Sequence, residues 1–300
     1  MTNDVTGRAI VAAVDGSESA RHAAFWAAAE ADHRHLPLRI VNAVKIPVAP
    51  YTGGGFVDQG FVDVLVRNGG DVVAGIRADI TEIHPGLDVH GDVMVADPVT
   101  TLVAESESAV MLVLGSRGLG GFTGMLVGST AVALVARGNC PVAVIRGRTP
   151  DGAPPVDGPV VVGVDGSPAS EAAVELAFEE ASLHGSELVA VHTWTEYSSD
   201  SAYAYARQFV LDWDAIETRH AEVLAERLAG WQEKYPDVMV DRVVTRDRPA
   251  SALLERSADA RLLVVGSRGR GGFTGMLLGS TSQALIYHAT CPLLVARPGQ

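Results

Sequence analysis

Cysteine is nearly missing from this chain: Cys140 and Cys291 are its only two, too few for a disulfide framework and in keeping with a reducing compartment. Long apolar runs are missing as well. No stretch approaches the roughly 18 residues that span a bilayer, so no membrane partner is expected. Positive charge is in short supply. Against 36 Asp and Glu the chain sets 23 Lys and Arg, a net charge of −13, and no local basic patch offsets it. Such a surface repels phosphate backbones, so nucleic acid is not an expected partner. The nine histidines show no H-E-x-x-H or Cys/His ligand spacing, which leaves no expected metal centre. Asp4 and a short apolar run from Ala9 to Val14 do not make an export signal, so a cytoplasmic location is expected. Charged residues at 20% beside 47% apolar residues argue for a globular chain over a disordered one. Its 300 residues suit two domains of about 150.

The two halves are one unit written twice. Val14-Asp15-Gly16-Ser17 recurs as Val164-Asp165-Gly166-Ser167, an offset of 150 residues. Gly115-Ser116-Arg117-Gly118 recurs as Gly266-Ser267-Arg268-Gly269, an offset of 151. Asn42 still aligns with His192 at 150, whereas Asp97-Pro98 aligns with Arg248-Pro249 at 151, so one residue was gained in the connection between. Residues 149–159 read T-P-D-G-A-P-P-V-D-G-P, a linker that holds neither a helix nor a central strand. The expected domains are therefore 1–148 and 160–300.

Within the first half, β-branched apolar runs at Ile10 to Val14, Leu38 to Val44, Val89 to Val95, Met111 to Leu114 and Val142 to Ile145 predict five strands. Helical patterns lie between them at Glu18 to His35, Asp63 to Ile83, Val99 to Ser106 and Thr130 to Arg137. In the second half Ile216, Val223, Leu224, Leu228 and Trp231 form a helical stripe. Strand and helix alternating in this way predict an α/β fold, two tandem doubly wound five-stranded parallel-sheet domains. Such sheets bind ligands beyond the carboxyl ends of their strands, at the switch point.

The chemistry-bearing residues cluster at those ends. Asp15 and Asp165 close the first strand of each half. Gly16 allows a tight turn, and Ser17 or Ser167 caps the next helix. The acid is either part of that capping turn or an acceptor for ribose or base. Gly115 to Thr130 reads G-S-R-G-L-G-G-F-T-G-M-L-V-G-S-T, and Gly266 to Thr281 nearly repeats it. Both copies keep G-x2-G-x9-G-S-T. Glycines let backbone N–H groups approach an anion, and the Ser-Thr pair opens a helix whose N-terminus presents unbonded amides. No Lys precedes that pair, so this is not a Walker loop; D-G-S after the first strand excludes the dinucleotide fingerprint.

On these motifs both halves resemble universal stress protein domains, and the whole chain resembles the tandem-domain members of actinobacteria. The resemblance runs from near Ala9 to Arg146 and from Val160 to Arg297. It implies ATP as ligand, with Mg²⁺ arriving on the nucleotide. The first site would comprise Asp15, Gly115, Gly118, Gly128, Ser129 and Thr130, with Ala13, Val14 and Ala43 around adenine and Ser116, Arg117, Gly120 and Gly121 along the phosphates. The second would comprise Asp165, Gly266, Gly269, Gly279, Ser280 and Thr281, with Gly163, Val164 and Thr193 around adenine and Ser267, Arg268, Gly271 and Gly272 along the phosphates. Asp97 against Arg248 would make the second site the tighter one.

Neither loop contains Glu, His or Lys, which argues for holding ATP over turning it over. The resemblance implies a regulatory module in stress or growth control as the function, and no catalytic residue is expected. The alternatives are a slow ATPase or a self-phosphorylating enzyme, with Ser129, Thr130, Ser280 or Thr281 as acceptors, and a scaffold that binds no nucleotide. The fifth strands leave apolar sheet edges that invite pairing. The resemblance implies that they pair the two domains as an internal pseudo-dimer, and a homodimer and a regulatory protein partner are also expected.

Overall fold

A computed structural model of the chain describes residues 8–46, 59–119, 127–149, 152–194, 213–270 and 277–298. It divides into compact units of residues 1–154 and 155–300, meeting inside the Pro/Gly/Asp stretch. In the first unit the order is β1 (Ile10–Ala13), α1 (Glu18–His33), β2 (Leu38–Val44), α2 (Gln59–Ile83), β3 (Val89–Val95), α3 (Pro98–Glu105), β4 (Met111–Gly115), α4 (Ser129–Arg137) and β5 (Val142–Ile145). The second runs β6 (Val160–Gly163), α5 (Pro168–His184), β7 (Leu188–Thr193), α6 (Trp213–Lys234), β8 (Val240–Thr245), α7 (Pro249–Ser257), β9 (Leu262–Gly266), α8 (Ser280–His288) and β10 (Leu293–Ala296).

Strands lie in the order β3-β2-β1-β4-β5 in the first unit and β8-β7-β6-β9-β10 in the second. The pairings within each unit are parallel. From β1 the chain builds outward through β2 and β3, then returns to place β4 on the other flank, so the order reverses between β1 and β4, and again between β6 and β9. Ala13 pairs with Leu114 across that reversal, which brings the turn after β1 beside the loop after β4.

Central strands are buried on both faces, as their unbroken apolar runs require. Met111, Leu112 and Val113 are all at most 1% exposed. Helix α1 lays an alanine stripe (Ala20, Ala23, Ala24, Ala27, Ala28 and Ala31) on the sheet, and these small side chains let it approach closely. On α6 the anticipated stripe is sorted by depth: Leu224 and Leu228 are fully buried, while Trp231 is half-buried and stacks on Phe178 at 6.3 Å. Helix α1 ends at His33, two residues short of the predicted His35, because His35 turns into the left-handed region at φ 52°. Helix α2 begins at Gln59, earlier than the Asp63 read from periodicity.

Candidate functional site

Both domains build the same frame at the switch point. Gly16 and Gly166 turn the chain after the first strand at φ +91° and +75°, a region that favours glycine. Asp15 then works locally: its Oδ1 accepts from Ser17 N at 3.0 Å and Ser17 Oγ at 2.6 Å, and its Oδ2 accepts from Leu119 N at 2.9 Å. Asp165 accepts from Ser167 N at 2.9 Å and Arg270 N at 3.1 Å. Each acid therefore ties the first turn to the glycine loop, and Ser17 and Ser167 cap α1 and α5. Gly118 and Gly269 sit where an added Cβ would strike the Asp15 or Asp165 carboxylate.

The loop neck is pinned in the same way twice. Gly128 N donates to Ser116 O at 2.7 Å, and Gly279 N donates to Ser267 O at 2.9 Å. Ser116 and Ser267 are buried structural members of that neck, anchored through N–H bonds to Ile145 O and Ala296 O. Gly115 and Gly266 pack against the first helix, with an added Cβ falling 2.6 Å from the carbonyl carbon of Ser19 or of Ala169. Gly128 and Gly279 are the N-caps of α4 and α8 and offer no side-chain cap, so Ser129, Thr130, Ser280 and Thr281 enter helices whose leading amides have no capping side chain.

In the second domain these parts enclose a cavity of about 420 Å³, within the roughly 300–1,000 Å³ usual for small-molecule pockets. Of the residues read from sequence, Gly163, Val164, Asp165, Thr193, Gly266, Arg268, Gly269, Gly279, Ser280 and Thr281 line it. Gly120, Gly121, Gly271 and Gly272 lie outside the described residues. Ala13, Val14 and Ala43 take the first domain's equivalent positions at the ends of β1 and β2, with Arg117 on the loop. Sequence reasoning missed, among others, Ser170, Val191, Leu253, Val265, Arg270 and Ser282 in the lining. Ser282 Oγ donates to Gly266 O at 2.7 Å, which ties α8 to the end of β9.

Asp97 has a local role that the sequence reading did not assign it. It is the N-cap of α3: its carboxylate accepts from Thr100 N at 3.1 Å and pairs with Lys45 at 3.1 Å. The Thr100 amide, then Lys45, holds its pKa below the ordinary carboxylate value. The acid therefore stays ionised, and Lys45 offsets part of its charge.

The second domain has a further feature that no motif announced, on β7 and outside the cavity lining. His192, buried on β7, donates from Nδ1 to Val164 O at 2.7 Å, and its Nε2 lies 2.9 Å from His220 Nδ1 on α6. Once Nδ1–H is committed to a carbonyl, a neutral His192 offers Nε2 as acceptor, so His220 donates. Trp194 stacks on His220 at 5.6 Å, and Arg246 stands 5.8 Å over Trp194. Desolvation, then the charges of His192, Arg270 and Arg219, pushes the His220 pKa below the usual histidine value.

A family model, "Universal stress protein family", matches residues 7–146 and 158–297. The chain belongs to the universal stress protein family. It is 42% identical over 298 residues to universal stress protein Rv2005c of Mycobacterium tuberculosis, covering 96% of both chains. To universal stress protein Rv2623 of the same organism it is 39% identical over 307 residues, covering 99% of each. A crystal structure of a universal stress protein from Archaeoglobus fulgidus aligns over 97% of both chains with a TM-score of 0.69 and 20% identity, a likeness of fold. No helix among the described residues of this universal stress protein is long and apolar enough to cross a membrane.

Proposed function

We propose that each domain binds one ATP and that the chain is a regulatory nucleotide-binding module in stress response or growth control, working in the cytoplasm. The observation that carries this reading is the second-domain cavity, which brings a strand-end acid, a pinned glycine loop and an uncapped helix N-terminus to one place. In this reading Gly163, Val164 and Thr193 border the adenine and Asp165 takes a ribose hydroxyl. Gly269, Gly279, Ser280 and Thr281 offer amides and hydroxyls to the phosphates. Asp165 has room for this, because each of its oxygens carries one bond from the protein and can accept another. Ala13, Val14, Asp15, Ala43, Gly115, Gly118, Gly128, Ser129 and Thr130 hold the equivalent nucleotide in the first domain. Mg²⁺ arriving with ATP would neutralise part of the phosphate charge.

Retention over turnover is supported by residue identity: neither loop places a Glu, His or Lys where a water would be activated. A homodimer and a protein partner that reads nucleotide occupancy belong to the same proposal. The test is mass spectrometry of the supernatant after denaturing the purified protein. One ATP released for each domain supports the reading, and a predominance of ADP moves it to slow hydrolysis. No nucleotide, with no heat on titrating ATP, sinks both.

A further inference from the structure

The two domains differ sharply at the turn after their first strand, beside the acid and the glycine loop. At Gly166 an added Cβ would fall 2.6 Å from Arg227 Nε and 2.5 Å from Arg270 Nη2, so two guanidinium groups press on one point above the turn. Arg227 comes from α6 and Arg270 from the glycine loop, and Arg270 also lines the cavity. Among the described residues one acid answers the two cations: Arg227 Nη1 donates to Glu171 at 2.6 Å, while Arg227 Nε is buried without an acceptor. The Asp165 carboxylate is occupied by the Arg270 amide and not by its guanidinium.

In the first domain the same point is apolar. The residues 151 positions earlier are Ile76 and Leu119, and it is Val72 Cγ2, at 3.1 Å, and Leu119 Cδ1, at 4.0 Å, that close over Gly16. Ile76 is 6% exposed and faces the core, whereas Leu119 is 72% exposed. The contrast continues along the strand ends, where Arg246 and Arg248 stand for Val95 and Asp97. A pair of guanidiniums held together with one carboxylate is a configuration that a multiply charged anion relieves, because phosphate oxygens accept charge-assisted bonds from both.

We infer that Arg227 and Arg270 form a subsite for the distal phosphates of a nucleoside polyphosphate, so that the second domain selects tri- over monophosphate while the first domain does not. This rests on the nucleotide-binding reading above and names the specificity of that site.

The experiment measures ATP and AMP affinities, each with Mg²⁺ at fixed ionic strength, in full-length chains that keep one working site. Gly128→Asp silences the first and Gly279→Asp the second. An added Cβ there meets nothing nearer than 3.6 Å and 3.4 Å, so the fold tolerates the change while the carboxylate opposes a phosphate at the helix end. Gly118→Asp and Gly269→Asp form a second pair should either of the first fail a melting check. The expected result is an ATP-over-AMP preference at least about tenfold larger in the second site than in the first, as a charged hydrogen bond implies. Arg227→Ile with Arg270→Leu should weaken ATP at least about tenfold more than AMP, and Leu119→Arg should raise the preference of the first site. Equal preferences in the two sites, or an Arg pair whose loss weakens both ligands alike, would overturn the inference and leave nucleotide binding standing. No binding of either ligand to the unmodified chain would overturn both.

Discussion

Asn42 and His192 occupy the same place in the two domains and do the same work with different chemistry. Each reaches from the second strand to the carbonyl that ends the first, Asn42 Nδ2 to Val14 O at 2.8 Å and His192 Nδ1 to Val164 O at 2.7 Å. Behind them the helices have compensated. Gly69 on α2 leaves Asn42 its space, since a Cβ there would fall 2.5 Å from Asn42 Oδ1, and the residue 151 positions later is His220, which bonds His192. The duplication has thus preserved a backbone device, a fixed strand-end carbonyl, while its support changed from an amide beside a glycine to a histidine pair under an aromatic ring. Around this frame the surroundings moved apart in polarity: Ile76, Leu119 and Asp97 in one domain, Arg227, Arg270 and Arg248 in the other. Shared geometry with divergent charge is what the inferred difference in ligand preference between the two domains requires.

The comparison breaks most visibly at the glycine loops. Gly118→Asp together with Gly269→Asp should abolish nucleotide binding, and each substitution alone should remove half of the nucleotide that co-purifies, measured by mass spectrometry of the denatured protein. If Gly118→Asp alone empties both domains, the sites are not independent. Because the new Cβ meets the acid that holds the loop, part of the loss will come from releasing the Asp15 to Leu119 tie. A smaller but still large effect is expected inside α2. Gly69→His should destabilise the first domain by about 1–3 kcal/mol, the usual cost of overpacking, read from denaturant midpoints. Asn42→His in the same chain should recover part of that loss by recreating the pair found in the second domain. No recovery would mean that the two supports of the strand-end carbonyl are not interchangeable.

Much of this architecture was readable because it is local. Apolar strands, an Asp-Gly-Ser turn and a glycine loop of fixed spacing are properties of short segments, and the offsets of 150 and 151 doubled each observation. The His192 and His220 pair and the Arg227 and Arg270 pair join β7 to α6 and α6 to the loop, distances along the chain at which no motif operates. The signal that could have revealed them was subtraction of one half from the other, with Gly69 opposite His220, Ile76 opposite Arg227 and Leu119 opposite Arg270. Asp97 was legible too: followed by Pro98 and Thr100, it reads as an N-cap with proline at the first helical position, and that is what it does.

That cap supplies a gentler probe. Asp97→Ala should lower the melting midpoint of the first domain, because the Thr100 amide loses its acceptor and Lys45 its partner. Arg248→Ala at the equivalent position of α7 should leave the second domain's midpoint unchanged, since Arg248 makes no side-chain cap bond. Calorimetry of both variants tests whether the two residues have parted in role as well as in charge.

The smallest expected effect is the dependence on pH that His220 gives the second domain. His220 has a folded-state pKa below its ordinary 6.5, chiefly because burial strips water from the ring and then because His192, Arg270 and Arg219 are nearby. With the folded value depressed, the unfolded chain takes up the proton first as pH falls. The stability contribution is therefore complete above the unfolded pKa and shrinks as pH drops from 6.5 toward the folded value. Protonation would also remove the Nε2 lone pair with which His220 can accept, and set a cation beside the Arg246 and Trp194 stack. The second domain's melting midpoint should thus fall between about pH 7.5 and about pH 5.5. His220→Gln should reduce that fall while leaving the first domain, which has Gly69 there, untouched. A fall of the same size in the variant would place the titrating group elsewhere and leave the histidine pair a purely structural replacement for Asn42 and Gly69.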